Sequence, residues 1–317
     1  MALLPETAVA EGDCRLYCQS AEVMAQLADG SVALTVTSPP YWNAIDYDIH
    51  ARHQRQRDYR QRRYGCGFEA EGDAGYQGWL DWAARVFSEV FRATKPGGFC
   101  AVVIGTILQD GVHYPAPFDL LGRLQQAGWL FHQDIIWNKV TAGVRRAGVA
   151  IQQPYPGYYY PNIMTEYILL LRKPGEAIFR QRNGGREASR YQIDDLFKRD
   201  IANNIWHIAP VPPGIIDHPC PFPEEIPARL IRLYSWHGEM VLDPFLGSGQ
   251  TAKVALQLGR RAVGYDIIQR YIDTAAKRLQ EPSRIRNLQL VPRMEKIACS
   301  PVDGLHGPKM NAELPEK

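Results

Sequence analysis

Residues 240–249 read Met240-Val241-Leu242-Asp243-Pro244-Phe245-Leu246-Gly247-Ser248-Gly249. The apolar run predicts a short buried strand that ends at Asp243, and residues Thr251 to Leu258 predict a helix. The order strand, Gly-x-Gly loop and helix is typical of nucleotide-binding crossovers, because glycines let the backbone close on a ligand. The pattern predicts an α/β protein built on one doubly wound, mostly parallel sheet flanked by helices.

A second carboxylate, Asp266, follows Asp243 by 23 residues, at the end of the strand predicted from Arg261 to Tyr265. In dinucleotide-binding folds a carboxylate near this position bonds the ribose hydroxyls. The usual phosphate-binding patterns are missing, because no Gly-Lys-Ser/Thr follows the loop and Ala252 takes the place of the last glycine of GxGxxG. The stretch therefore favours a nucleoside ligand that is not held by its phosphates.

The stretch Thr37-Ser38-Pro39-Pro40-Tyr41 follows another apolar run, Val32 to Val36. The run predicts a buried strand, and two prolines fix φ and donate no hydrogen bond, so the chain leaves the sheet in a stiff turn. The turn presents the Ser38 hydroxyl, the Pro39 carbonyl and the Tyr41 ring at the carboxyl end of a strand, where open α/β sheets bind ligands. By itself this pattern predicts only a proline-capped loop.

Apolar spacing predicts the remaining elements. The predicted helices cover 76–94, 118–126, part of 219–236 and 267–279, with a further short helix that begins at Ser20 and ends at Gly30. The other predicted strands cover 99–104, 130–137 and 166–172.

Composition and patterning give no sign of a secreted, membrane-spanning or cysteine-based metal-binding protein. The chain has 317 residues, 45% of them hydrophobic, and a net charge of +2, which is ordinary for a globular protein and makes any nucleic-acid footprint local. The six cysteines lack paired metal-ligand spacing, and Cys14 and Cys18 are predicted to serve packing. No signal peptide or membrane span is recognised, so we expect a reduced, cytoplasmic protein.

Arginine-rich stretches interrupt the predicted core at 46–68, 143–160 and 173–201. A charge run is usually a solvated surface, but arginine interleaved with tyrosine is also how proteins hold a phosphate backbone and stack on bases. Because the first stretch follows the proline turn directly, we favour the second interpretation. The residues predicted to bind nucleic acid, which the resemblance described next narrows to DNA, are Arg52, Arg55, Arg57, Arg60, Arg62, Arg63, Lys139, Arg145, Arg146, Arg182, Arg186 and Arg190.

Together, the proline turn and the later glycine loop resemble two motifs of the S-adenosylmethionine-dependent DNA amino-methyltransferases. The catalytic motif precedes the cofactor motif, as in the circularly permuted β class of that family. Further matches cover most of residues 12–280: Gly12-Asp13, Lys95-Pro96-Gly97-Gly98, Ile136-Trp137-Asn138-Lys139, Glu166-Tyr167-Ile168-Leu169, His218-Pro219 and Phe222-Pro223. Gln250 stands where the family usually has threonine.

The resemblance implies a class I, Rossmann-like methyltransferase that transfers a methyl group from S-adenosylmethionine to cytosine N4 or adenine N6 of double-stranded DNA, with no metal. The implied catalytic residues are Ser38, Pro39, Pro40 and Tyr41, and the implied cofactor-binding residues are Asp13, Pro219, Phe222, Asp243, Phe245, Gly247, Ser248, Gly249 and Asp266. Serine before the two prolines favours cytosine slightly. Such enzymes flip the target base and often form homodimers; some are paired with a cognate restriction endonuclease and others are solitary, and the resemblance leaves both open.

The resemblance also divides the chain. Residues 12–172 form the catalytic half, 173–216 a target-recognition insertion, 217–280 the cofactor-binding half, and 281–317 a partly disordered tail. Cys220 is predicted to serve packing. Two alternatives remain open: an RNA or protein-glutamine methyltransferase, and a nucleic-acid binder that holds S-adenosylmethionine without catalysis. A dinucleotide oxidoreductase is a more distant alternative.

Overall fold

The computed structural model describes residues 8–11, 13–42, 72–109, 112–140, 155–157, 163–180, 186–212, 214–216, 218, 220–283 and 285. All of them lie in one compact unit, Met1–Ile285. The arginine-rich stretch at 46–68 lies outside the described residues, as does that at 143–160 except for 155–157, and so does most of the predicted tail.

The described residues form eleven strands and five α-helices. The strands are β1 (Ala8–Glu11), β2 (Cys14–Cys18), β3 (Val32–Thr37), β4 (Thr94–Ile104), β5 (Ile107–Gln109), β6 (Val112–Tyr114), β7 (Leu130–Asn138), β8 (Thr165–Arg172), β9 (Ile205–His207), β10 (Met240–Asp243) and β11 (Arg261–Asp266). The helices are α1 (Gly72–Ala93), α2 (Ala116–Gln126), α3 (Glu225–Tyr234), α4 (Gln250–Gln257) and α5 (Gln269–Leu279). None of these helices has the length and apolar content needed to cross a membrane.

Nine strands form one sheet in the order β1-β2-β11-β10-β3-β4-β8-β7-β9, and β5 and β6 form a separate hairpin. The five strands from β2 to β4 are parallel neighbours. β8 runs antiparallel to both β4 and β7, and β1 runs antiparallel to β2. The predicted doubly wound, mostly parallel sheet is therefore confirmed.

Both faces of the sheet are covered by helices. Side chains that alternate along β4, such as Cys100 and Val102, pack with α1 and α2 in one large buried cluster. The intervening residues Ala101 and Val103 are equally buried but lie outside that cluster. α3 contacts β3 and β4, and α4 contacts β10 and β11. A sheet buried on both faces explains why its central strands are continuous apolar runs.

The longest helix, α1, confirms the helical spacing seen in the sequence. Its inward residues are completely or almost completely buried: Tyr76, Trp79, Trp82, Ala83, Val86, Phe87 and Val90. The indole N–H of Trp79 donates to the carbonyl of Pro40 at 2.9 Å. The helix that covers the sheet thus also holds the proline turn.

The short helix predicted to begin at Ser20 is wrong, because residues 21–30 form turns. Side chains of α1 bond the backbone there: Glu89 accepts from the Met24 N–H at 3.1 Å, and Arg92 donates to the carbonyls of Met24 and Leu27 at 3.0 and 2.9 Å. In a helix each of these groups would pair with a backbone group four residues away. Here the Met24 carbonyl keeps one local bond, from the Leu27 N–H at 3.0 Å, and contacts with α1 take the place of the helical ones.

Candidate active site

The crevice that carries the site lies at the point where the strand order reverses. From β10 the chain continues to β11 on one side, whereas β3 continues to β4 on the other side. β10 and β3 are parallel neighbours, with Val241 opposite Leu34 and Leu242 opposite Thr35. Their carboxyl ends therefore meet at the position where doubly wound sheets bind ligands. The glycine loop leaves one of these ends, and the proline turn leaves the other.

One buried hydrogen bond joins the two motifs. The Thr37 hydroxyl donates to Oδ1 of Asp243 at 2.6 Å, across 206 residues of sequence. The backbone N–H of Phe245 donates to the same oxygen at 3.1 Å. Thr37 is the last residue before the proline turn, so this bond sets the distance between that turn and the glycine loop.

The two carboxylate oxygens of Asp243 differ in their contacts. Oδ2 is buried and has no hydrogen-bond partner among the residues that the structure describes. Burial raises the pKa of Asp243 to about 6, against the opposing effect of Thr37, Thr251 and the Phe245 N–H; the Thr251 hydroxyl itself donates to the Val36 carbonyl at 3.1 Å. A buried acceptor that lacks a full donor is costly, so a donor from a bound ligand would stabilise it.

Two glycines allow the loop after β10 to pass close to His218 and α5. Gly247 and Gly249 have φ angles of +50° and +79°, which side chains rarely tolerate. A Cβ on Gly247 would lie 2.7 Å from Nε2 of His218, and one on Gly249 would lie 2.7 Å from Cβ of Ala275. Gly249 is also the N-terminal cap of α4. The glycines are therefore needed both for the turn and for the close approach of α5 and His218.

Asp266, at the end of β11, holds the other side of the loop. Its oxygens accept hydrogen bonds from the backbone N–H groups of Gly247 and Ile268, both at 2.9 Å. Burial raises the pKa of Asp266 to about 7, and the nearby Asp243 also raises it. The Ile267 N–H is a third backbone donor to this carboxylate, so at least one oxygen keeps a lone pair for a further donor. Across the described residues, no group of three or more His, Cys, Asp or Glu is arranged to hold a metal ion.

The proline turn presents the groups that the sequence predicted. Pro39 is buried, and Ser38, Pro40 and Tyr41 are partly buried. The Tyr41 hydroxyl accepts from the Gly105 N–H at 2.7 Å, which fixes the ring near the end of β4. Neither the Ser38 hydroxyl nor the Pro39 carbonyl is hydrogen-bonded to another described residue. Two acceptors thus remain beside an aromatic ring of fixed position.

Lys139 lies at the same edge of the sheet, but it is already paired. Its ammonium group forms an ion pair with Glu166 in which both side chains are largely buried, and it also lies 4.9 Å from the centre of the Trp137 ring. Glu166 is close to the proline turn, because a Cβ on Gly105 would lie 3.2 Å from its Cγ and 3.4 Å from the Tyr41 hydroxyl. Lys139 is therefore part of the wall of the crevice, and the prediction that it contacts DNA is not supported by its position.

The segment before α3 covers the glycine loop. The His218 ring packs on Tyr271 of α5 with 4.8 Å between ring centres, and the Phe222 carbonyl accepts from the side chain of Gln250 at 2.8 Å. Pro219 lies outside the described residues. The Cys220 side chain is exposed, but surrounding atoms raise the pKa of its thiol to about 11 by desolvation, so its predicted packing role is not confirmed. The Phe245 ring packs against Trp82 of α1, with 5.4 Å between ring centres.

Asp13 is not brought to this site. Its carbonyl accepts from the N–H of Ala262 at the start of β11, whereas Asp266 at the end of β11 lies opposite Cys18. Ala262 and Asp266 are four residues, or about 13 Å, apart along β11. The resemblance placed Asp13 near the cofactor, but the structure places Cys18 opposite Asp266. The alternation of apolar and charged residues in Cys14-Arg15-Leu16 was the available signal for β2, which was not predicted.

Few of the predicted DNA-binding residues are described. Arg186 and Arg190 are exposed on either side of a 3₁₀ turn, Glu187–Ser189. The remaining arginines lie outside the described residues: Arg52, Arg55, Arg57, Arg60, Arg62, Arg63, Arg145, Arg146 and Arg182.

Comparisons with known proteins agree with this geometry. The family of N6 and N4 methyltransferases described as DNA methylase matches residues 32–277. The Type II methyltransferase M.MjaI of Methanocaldococcus jannaschii is 30% identical over 270 residues, which cover 78% of this chain and 84% of the relative.

Solved structures share the fold. The putative DNA modification methylase TTHA0409 of Thermus thermophilus, complexed with S-adenosyl-L-methionine, is 33% identical with a TM-score of 0.62, over 83% of this chain and 93% of that one. The cytosine-N4-specific PvuII DNA methyltransferase superposes with a TM-score of 0.61 over 86% of this chain and 88% of that one. It is 18% identical, so it is similar in fold alone.

Replacing Gly249 with alanine should cost more stability than replacing Gly238. Gly238 has nearly the same φ, +78°, but no described atom would lie within 4 Å of a Cβ at that position, so Gly238→Ala carries only the backbone penalty of about 1–2 kcal/mol. Gly249→Ala must also displace α5, which adds about 1–3 kcal/mol. Urea denaturation measures both free energies of unfolding. Equal losses would contradict a tight contact between the loop and α5.

The raised pKa of Asp266 predicts a pH dependence of stability. Its native pKa of about 7 lies above the ordinary 3.8, so between these values the native state holds a proton that the unfolded state has released. The free energy of unfolding should therefore fall as pH rises from about 4 to 7, by up to about 4 kcal/mol from this group. Asp266→Asn should flatten that decline. Denaturation curves at several pH values test this, and an unchanged slope would contradict it.

Proposed function

The chain belongs to the DNA methylase family of N6 and N4 methyltransferases, and we propose that it methylates the exocyclic amino group of a base in DNA, using S-adenosylmethionine. The observation that carries the proposal is the Thr37–Asp243 hydrogen bond. It holds two available acceptors, on Ser38 and Pro39, beside a glycine loop that suits a nucleoside. Substrate amine and methyl donor would thus share one crevice.

The residues of the proline turn would activate the amino group. Its lone pair is delocalised into the ring of the base, which makes it a poor nucleophile. If the Ser38 hydroxyl and the Pro39 carbonyl accept its two N–H groups, the nitrogen is held closer to tetrahedral geometry and its lone pair is aimed at the donor. The new N–C bond would form as the carbon–sulfur bond of the donor breaks, leaving a neutral thioether. The nitrogen then loses one proton, and the partly exposed Ser38 would connect it to water.

Tyr41 would hold the base in place. The amino groups of cytosine and adenine lie within the base stack, so the nucleotide must be flipped out of the duplex. The hydrogen bond from Gly105 fixes the Tyr41 ring before the base arrives. Stacking on such a ring contributes about 1–3 kcal/mol per base.

The glycine loop and its two carboxylates fit S-adenosylmethionine, which supplies a methyl group on a sulfonium centre. Oδ2 of Asp243 is a buried acceptor for which the described residues provide no donor, as a cofactor with an amino group requires. Asp266 has lone pairs left for ribose hydroxyls. Phe245, Gly247, Ser248 and Gly249 would shape the methionine end, with the segment of Pro219 and Phe222 closing over it. A zwitterion and a sulfonium need no phosphate-type lysine.

Residues 173–216 are proposed to read the target sequence. The described residues of this region form 3₁₀ and π-helical turns and β9, which extends the sheet beside β7, with Trp137 opposite Trp206. It is anchored to the core by Arg229 of α3, which donates to Asp200 at 2.6 Å. The exposed Arg186 and Arg190 lie in it and are available for phosphate contacts. A homodimer and a cognate restriction endonuclease stay predictions from the resemblance.

Methylation-sensitive sequencing of DNA from cells that express the chain tests the proposed activity. We expect one new modified base in one sequence context, and Ser38 favours N4-methylcytosine over N6-methyladenine. Modified RNA or modified protein glutamine with unmodified DNA would support the alternative substrates instead. No new modification in any of the three would contradict the proposal.

Ser38→Ala should abolish transfer without abolishing binding. Loss of one preorganised hydrogen-bond partner of a reacting group costs about 100-fold in rate or more. Ser31→Ala is the matched control, because Ser31 lies just before the amino end of β3, away from the crevice. Ser31 is exposed, and its hydroxyl donates to the Ala28 carbonyl at 2.6 Å. Single-turnover transfer of labelled methyl groups to DNA and a DNA-binding assay measure both variants. Unchanged transfer by Ser38→Ala would contradict the mechanism.

A further inference from the structure

A buried group of polar side chains lies directly behind the glycine loop. We call it the Arg278 cluster; it consists of Glu224, Gln250, Lys253, Arg278 and Ser283. Lys253 is completely buried, and Glu224, Gln250 and Arg278 are less than a tenth exposed. None of these residues was assigned a role by the analysis of the sequence. Their contacts join three segments that are far apart in the chain: the glycine loop, the segment before α3 and the end of α5.

Gln250 is the link between the loop and the covering segment. It is the first residue of α4, and its side-chain amide donates to the carbonyl of Phe222 at 2.8 Å. Its amide oxygen accepts from the guanidinium of Arg278 at 2.6 Å. Both ends of the amide are therefore used. The threonine that the family usually has here carries one hydroxyl on a shorter side chain, so it has neither the length nor the two separate groups to make both contacts.

Arg278 connects the same loop to a buried carboxylate. It donates to the carbonyl of Ser248 at 2.5 Å and to Oε1 of Glu224 at 3.2 Å. The Ser248 carbonyl stands in the turn between Gly247 and Gly249. Arg278 thus holds a backbone group of the loop while it fixes the orientation of the Gln250 amide.

Glu224 closes the cluster. Oε1 also accepts from Lys253 at 2.9 Å, and Oε2 accepts from the Ser283 hydroxyl at 2.6 Å. Glu281 lies 3.7 Å from Lys253 and 3.8 Å from Arg278, so two cations face two carboxylates. Buried charges seldom add net stability even when they are paired, but they fix one arrangement of the groups that carry them.

We propose that Gln250 and Arg278 are positioning residues of the cofactor site, which hold the Phe222 segment at a set distance from the glycine loop. This inference rests on the proposed function, in which that segment closes over the methionine end of S-adenosylmethionine. A site held in its bound shape loses less conformational entropy when the ligand arrives. Without the bridge, loop and segment separate more easily, and the affinity for S-adenosylmethionine falls while the affinity for DNA does not.

The decisive variant is Gln250→Met in the full-length chain. Methionine has a similar volume but makes neither hydrogen bond. We expect the Kd for S-adenosylmethionine, measured by calorimetry, to rise about tenfold, as the loss of these two contacts implies. KM for S-adenosylmethionine should rise in parallel, with KM for DNA and kcat at saturating cofactor changing less than about threefold. An unchanged Kd would overturn the proposal, whatever happens to stability.

A second variant separates the two contacts of Gln250. Gln250→Glu keeps an acceptor for Arg278 but replaces the amide donor by a carboxylate oxygen that faces the Phe222 carbonyl. Its Kd for S-adenosylmethionine should rise by at least as much as that of Gln250→Met. Wild-type affinity in this variant would show that the contact with Phe222 does not position the site.

Arg278→Met should raise the Kd for S-adenosylmethionine as Gln250→Met does, and Arg260→Met is its control for damage to a buried arginine. Arg260 is as buried as Arg278 but lies just before the amino end of β11. Its guanidinium donates to the hydroxyl and the carbonyl of Ser235 at 3.2 Å and 2.7 Å. The Arg260→Met substitution should lower Tm and leave the Kd for S-adenosylmethionine unchanged. A similar loss of affinity in Arg260→Met would overturn the proposal, because the effect would then be one of stability. If the wild-type protein itself binds no S-adenosylmethionine, the proposed function fails first.

Discussion

The hydrogen bond between Thr37 and Asp243 is the contact on which the site depends. It is short and buried, and it joins the carboxyl ends of two parallel strands that are 206 residues apart. The sheet makes it available by placing β3 and β10 side by side at the point where the strand order reverses. The proline turn follows one of these strand ends and the glycine loop follows the other, so a shift in either strand would separate the acceptors of the turn from the loop.

This arrangement requires polar groups to be buried. Asp243 and Asp266 stand close together in the interior, and burial raises the pKa of both. Backbone N–H groups of the loop stabilise their ionised forms, which links the charge of the site to the shape of the loop. The Arg278 cluster repeats this solution behind the loop, with a guanidinium on a loop carbonyl. The same polar contacts therefore fix the conformation of the loop and influence the charge of the carboxylates beside it.

Much of the fold could be predicted from the sequence because its elements are strongly periodic. α1 and the central strands were predicted within a few residues, since a sheet buried on both faces requires continuous apolar runs and its helices require an apolar stripe. Weakly patterned segments were not predicted. The residues after Ser20 form turns because Glu89 and Arg92 bond their backbone, and β9 is too short to carry a pattern. Asp13 was placed near the cofactor by the family resemblance alone, which the register of β2 against β11 contradicts.

The sequence alone determined the kinds of residue at the site: a serine and two prolines after one apolar run, and an aspartate and glycines after another. These types follow from local chemistry, because prolines end a strand and glycines permit positive φ wherever they occur. Only the tertiary structure decided which groups keep free lone pairs. Lys139 is paired with Glu166, Gln250 spans two segments, and Oδ2 of Asp243 has no partner among the described residues. Such pairings depend on distances between strands and helices far apart in the chain, which no local pattern records.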